Sequence, residues 1–85
     1  MKLDYYYRCG EKVCLGDEVS YNFASATIVG VCGVNGDAEV REDCKWVLST
    51  GRSGIWLEFS NDAVLLLDDV DEDLVLMKRL ESGIV

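Results

Sequence analysis

Apolar and polar residues alternate over short stretches along most of the chain, and Gly, Asn, Asp and Ser interrupt the alternation every few positions. Leu3 to Arg8 is rich in tyrosine and predicts a short strand, closed by a turn at Gly10-Glu11 and followed by a return strand at Lys12-Val13-Cys14. After a turn at Gly16-Asp17, Glu18 to Phe23 places Val19, Tyr21 and Phe23 on one face and Glu18, Ser20 and Asn22 on the other. That period of two predicts a half-buried strand. The β-branched run Thr27-Ile28-Val29-Gly30-Val31-Cys32 predicts a central strand, with Gly30 as a bulge or bend.

Asn35-Gly36 is a strong turn signal. The polar stretch Ala38 to Lys45 predicts a short helical or irregular excursion, Trp46-Val47-Leu48 a short strand, and Ser49 to Gly54 a loop. Ile55 to Phe59 and Ala63 to Leu67, joined by Ser60-Asn61-Asp62, predict a hairpin with Ile55, Leu57 and Phe59 facing one way and Trp56 and Glu58 the other. Leu74 to Met77 predicts a last strand, with a short helix through Lys78 to Leu80 as the alternative. Five or six strands with little helix predict an all-β chain folded as a small barrel, a closed form that removes sheet edges.

The 85 residues suffice for one domain, taken as residues 1–85, and exclude a large enzyme. Hydrophobic residues make up 49% and charged residues 28%, and no apolar run approaches the roughly 20 residues that span a bilayer, so a soluble globular protein with no membrane contact is expected. The N-terminus MKLDYYYRCGEK lacks the apolar core of a secretory signal, which makes the cytoplasm the expected compartment. Sixteen acidic residues against eight basic ones give a net charge of -8, unfavourable for direct contact with nucleic acid. Histidine is absent, which removes the commonest general base and metal ligand. No enzymatic activity and no cofactor are expected. Cys9, Cys14, Cys32 and Cys44, with 4, 17 and 11 residues between them, lack the two close pairs of a zinc ribbon and are read as free thiols.

The most unusual local feature is Asp68-Asp69-Val70-Asp71-Glu72-Asp73, five carboxylates in six residues between two apolar stretches. The segment lacks the glycine and spacing of an EF-hand loop. Its acids crowd one turn instead of facing each other across a cleft, as glycoside hydrolysis requires. Two readings remain: a solvated turn that discourages edge association, or a surface that meets a basic partner, whose attraction speeds association. Asp68, Asp69, Asp71, Glu72 and Asp73 are the candidate partner-binding carboxylates, with Glu58 beside them. Tyr6, one of three consecutive tyrosines that must alternate sides, and Trp56, either the cover of a second core face or an exposed anchor, are the candidate aromatic contacts.

Gly16-Asp17-Glu18-Val19, followed by the glycine-containing strand Ala26 to Val31, resembles the GD-x-V opening of small SH3-like barrels. Trp46, Leu48, Gly54, Ile55, Leu57, Glu58, Phe59, Asp71, Glu72, Asp73 and Leu74 resemble the W-x-x-L, G-V-L-I-E-F and D-E-D-L pattern of small bacterial proteins that accompany polymorphic toxins. The likeness runs from Gly16 to Met77. Val70 stands where that pattern has proline, and the four cysteines are a further departure. The resemblance implies an SH3-like barrel that serves as an immunity protein, neutralising a toxin by occluding its basic active surface. A monomer or weak homodimer is expected. The same charge pattern also suits a regulatory or structural adaptor in a larger assembly, or a phage-type inhibitor that mimics nucleic acid.

Overall fold

In the computed structural model, residues 5–33, 37–70 and 72–78 are described. Six strands form one antiparallel sheet: β1 (Glu18–Tyr21), β2 (Ala24–Cys32), β3 (Ala38–Val40), β4 (Gly54–Phe59), β5 (Val64–Leu67) and β6 (Leu74–Lys78). The order is β5-β4-β2-β1-β6, with β3 paired to the C-terminal half of β2 on the edge whose N-terminal half carries β1. The long β2 is thus the spine. The result is the small all-β, barrel-like fold that the alternation predicts, with dimensions of 31 × 29 × 29 Å.

Alternation along the strands builds two apolar clusters, one on each side of the sheet. Val19, Ile28, Val31, Ile55, Leu57, Leu67 and Leu74 fill the inner cluster with Tyr7 and Val13 from the N-terminal arm. Val29, Cys32, Cys44, Val47 and Trp56 form the second cluster on the outer face. A bulge divides β2 between the two: Ile28 pairs with Leu57 and Gly30 with Trp56, so Val29 is the extra residue and both Ile28 and Val29 are fully buried on opposite sides. Gly30 lies in the bulge, as its position in a β-branched run suggested, and its missing side chain leaves room for the Trp56 ring, which would lie 3.2 Å from an added Cβ.

The outer cluster is covered by a 3-10 helix, Glu42–Thr50, kinked at Cys44 and ended by Gly51 in the left-handed conformation (φ 68°). The expected helical excursion forms but is shifted: Ala38 to Val40 is a strand, and the helix starts at Glu42 and runs through Trp46-Val47-Leu48, where a strand was expected. Three residues per helical turn carry both Cys44 and Val47 onto the sheet and leave Trp46 and Leu48 half exposed, a pattern that a three-residue apolar run does not distinguish from a strand. Arg41 fixes the helix start: its amide donates to the Val29 carbonyl (2.9 Å), and its guanidinium donates to Asp43 (2.6 Å) and to Glu58 on β4 (2.8 Å).

The N-terminal arm keeps the expected return pairing in a shortened form: Tyr6 bridges Lys12 antiparallel, the Tyr7 amide donates to the Glu11 carbonyl (2.8 Å) and the Val13 amide to the Tyr5 carbonyl (2.8 Å), around a turn in which the Gly10 amide donates to the Tyr7 carbonyl; Leu3 and Asp4 lie outside the described residues. The arm is held by side chains: Tyr5 Oη donates to the Cys32 carbonyl (3.2 Å) and Tyr7 Oη to Asp17 Oδ2 (2.7 Å). β1 stops at Tyr21, two residues short of the expected end, because Asn22 (φ 53°) and Phe23 (φ 71°) form the two-residue loop of the β1-β2 hairpin. Two positive φ values in such a loop are the signature of a type I′ turn. The β4-β5 hairpin forms where expected, with Asp62 (φ 69°) in its turn and the Ala63 amide donating to Asn61 Oδ1. The β2-β3 connection is closed by the Gly33 amide donating to the Asp37 carbonyl (2.7 Å); Asn35 and Gly36 lie outside the described residues, as do Arg79 and Leu80 of the alternative helix.

Candidate functional site

The acidic segment connects β5 to β6 at one end of the sheet, and its described carboxylates, Asp68, Asp69, Glu72 and Asp73, belong to exposed residues; Asp71 lies outside the described residues. Asp69 Oδ1 accepts from the Val70 amide (2.7 Å), a local bond that shapes the turn, and Glu72 faces Arg8 of the N-terminal arm at 3.7 Å. Both partners of that pair are well exposed, so its worth is small. The negative charge of Asp69 and Asp68 reaches Tyr5: its phenol is held above the ordinary value, first by burial and then by those carboxylates.

The sequence-predicted aromatic contacts fare differently. Tyr6 is half exposed on the arm. Trp56 is 7% exposed and belongs to the outer cluster, where the edge of Trp46 meets it at a ring separation of 5.6 Å and an interplanar angle of 78°. Its indole N–H is buried and has no hydrogen-bond partner among the described residues. Trp56 is therefore the cover of a second core face, and the ring left half exposed at this site belongs to Trp46, ten residues earlier. Glu58 follows Trp56 on the outer face but is engaged by Arg41, which ties it to the helix instead of leaving it for an incoming cation. Asp43, an exposed residue, is held below the usual carboxylate range by its bond from Arg41, whose own ionisation is pushed upward by Asp43 and Glu58.

Sequence reasoning missed Phe23. The alternation assigned it to the inner face of β1, whereas it stands at the hairpin tip and is 98% exposed. The hairpin tip and the acidic turn are neighbours, since Tyr21 pairs with Leu74 and the Asn22 amide donates to the Asp73 carbonyl at 3.3 Å. Along β6 the side chains of Val75 (50%) and Met77 (65%) are exposed, while Leu74 between the acidic turn and Val75 is buried in the inner cluster. A signal for Phe23 was present: Tyr-Asn-Phe-Ala places Asn at the first loop position of a two-residue hairpin, a position it favours.

Asp17, part of the GD-x-V motif, has no exposed surface. Its Oδ2 accepts from Tyr7 Oη and from the Cys14 amide (2.9 Å), so the motif here locks the arm to the start of β1. The four thiols do not share one environment: Cys9 is exposed, Cys14 half-buried, and Cys32 and Cys44 are buried with their ionisation pushed up by burial. Among the described residues no three Cys, Asp or Glu side chains are grouped so as to hold a metal ion, and no helix is long and apolar enough to cross a membrane. A concavity of about 220 Å³ beside Cys32, Leu48 and Arg52 falls below the roughly 300–1,000 Å³ usual for small-molecule sites. An open trough of about 500 Å³ runs between the ends of β1, β2, β4 and β6, bordered by Glu18, Ser25, Thr27, Glu58, Asp62 and Met77.

No protein-family model, curated protein or solved structure matches the chain.

Proposed function

We propose that the protein is an acidic protein-binding module that captures a basic protein, and that it acts as an immunity protein by covering the cationic active surface of a toxin. The observation that carries this reading is the exposed carboxylate turn between β5 and β6, on a chain with a net charge of -8. Exposed carboxylates on such a turn suit the positions that phosphates take on a cationic surface, and opposite potentials steer the two proteins together. The resemblance of the GD-x-V and D-E-D-L segments to immunity proteins supports the same conclusion, with the bacterial cytoplasm as its setting. Partner, compartment and the absence of catalysis all belong to this proposal.

The test is to co-produce the protein with the toxin candidate encoded beside it in the host and to measure growth. Rescue by the native sequence, with loss of rescue when Asp69, Asp71 and Asp73 are all replaced by Asn, is the expected result. Equal rescue by the native and substituted proteins would show that the cluster serves only solubility. Absence of rescue with firm binding to a larger assembly would favour the adaptor reading.

A further inference from the structure

Exposed apolar side chains gather in two places, and their charged surroundings differ. Trp46 (51%) and Leu48 (50%) project from the 3-10 helix among charges of both signs, Glu42 with Lys45 at 3.5 Å and Arg52 beyond the cap. Phe23, Val75 and Met77 lie instead between two borders in which acids outnumber bases, with Arg8 facing Glu72 at 3.7 Å at one end and Lys78 pairing with Glu18 at the other. At one end stand Glu72 and Asp73, with Asp73 bonded through its carbonyl to the hairpin tip. At the other, Met77 lines the trough bordered by Glu18 and Asp62, which is continuous with the hairpin through Ser25.

We propose that Phe23, Val75 and Met77 form the contact face of this protein, and that its occupant is a segment of a basic protein carrying apolar side chains between lysines or arginines. This deepens the charge-capture reading and rests on it. Apolar side chains of the segment cover Val75 and Met77, a cationic side chain enters the trough toward Glu18 and Asp62, and the Phe23 ring inserts into the partner. Charge alone would guide the encounter, whereas a buried aromatic anchor sets how long the complex lasts. The fold itself does not ask for phenylalanine at position 23. A type I′ loop favours glycine there, and a ring with 98% of its surface in water contributes nothing to either cluster.

Three 12-residue probes of defined chemistry test this: alternating Lys-Val, alternating Lys-Ser of equal charge, and alternating Glu-Val. Each is titrated into the isotope-labelled full chain while backbone amide shifts are followed. The expected result is that Lys-Val shifts the amides of Phe23, Val75 and Met77, and binds at least tenfold tighter than either other probe. Phe23→Gly should lower the Lys-Val affinity about tenfold and leave the weaker Lys-Ser binding unchanged. Equal affinity for Lys-Val and Lys-Ser, or no effect of Phe23→Gly, would overturn the contact face while leaving charge capture standing. Equal affinity for Lys-Val and Glu-Val would overturn charge capture itself. Shifts centred on Trp46 and Leu48, or no binding of any probe at millimolar concentration, would overturn the proposal. Sedimentation that shows a dimer abolished by Phe23→Gly would make a second copy the occupant and overturn it as well.

Discussion

Tyr7 Oη donates a 2.7 Å hydrogen bond to Oδ2 of Asp17, a side chain without exposed surface, and this bond joins the N-terminal arm to the sheet. A carboxylate out of contact with water is costly unless it is hydrogen-bonded, and the Cys14 amide supplies that same oxygen with a second donor at 2.9 Å. Tyr7→Phe should cost about 1.5–3 kcal/mol, the usual range for a hydrogen bond to a charged group. Asp17→Ala should cost more, because it strips both donors of their acceptor, whereas Asp17→Asn keeps an acceptor in place and should cost less than Asp17→Ala. Urea denaturation checks the order, which should show as shifts of the midpoint at constant slope.

Gly54 begins β4 with φ 134°, a conformation closed to other residues without strain, and a Cβ there would run into the Leu67 carbonyl of β5. Gly54→Ala should therefore destabilise by about 3 kcal/mol by combining backbone strain with displacement of the neighbouring strand. Gly10, also at positive φ but with open space around it, provides the comparison. Gly10→Asn should cost well under half as much, since Asn tolerates the left-handed region. Thermal melts of the two variants against the native protein decide this.

Phe23 carries the opposite expectation. Its φ of 71° costs a bulky residue about 1–2 kcal/mol, and the exposed ring recovers none of that by packing. Phe23→Gly converts the loop to Asn-Gly, the preferred pair for a type I′ turn, and part of the gain is offset by the greater freedom of glycine in the unfolded chain. A net gain of about 1 kcal/mol, or a Tm rise of about 4 °C or more for a chain of this size, is expected by calorimetry. A loss of stability would show that the ring packs against the fold in solution.

Tyr5, Cys32 and Cys44 share one pH signature. Each is held above its ordinary value, 9.0 for the thiols and 10.0 for the phenol, chiefly because burial disfavours the charged form. A raised folded-state value means that the folded protein keeps the proton longer than the unfolded chain. The stability from these groups is therefore fully present below pH 9 and is lost as the pH rises through their folded-state values. Tm should fall from pH 9 to pH 11, and the early part of that fall should flatten when Cys32 and Cys44 are both replaced by Ala. The same burial order predicts that a thiol reagent labels Cys9 first and reaches Cys32 and Cys44 only on unfolding.

The parts of the fold that were legible in the sequence are those in which period-two alternation and a strong turn coincide. Ile55 to Phe59 with its partner Val64 to Leu67 is one such case, and the glycine inside Thr27 to Cys32 correctly marked a bulge. Trp46 to Leu48 misled because three apolar residues fit a strand and one turn of 3-10 helix equally well, and the choice was made by Arg41 reaching Glu58 across 17 positions. Tyr5 to Tyr7 was legible as extended chain that pairs back onto Glu11 to Val13, whereas the phenol bonds that tie it to Cys32 and Asp17 depend on groups 27 and 10 positions away. The acidic turn was visible as composition. That it lies against the Phe23 tip was not, since it depends on β1 pairing with β6 across more than fifty residues.

The central claim is that the carboxylate turn captures a basic protein, and immobilising the protein against host lysate at low salt tests it directly, with Asp69, Asp71 and Asp73 replaced together by Asn in a parallel column. The account predicts that the native protein retains a basic protein that the substituted one does not. It also predicts that association of the recovered pair slows at least tenfold between low and physiological ionic strength. Retention of the same protein by both columns, an association rate indifferent to salt, or no basic protein held by the native chain would contradict it.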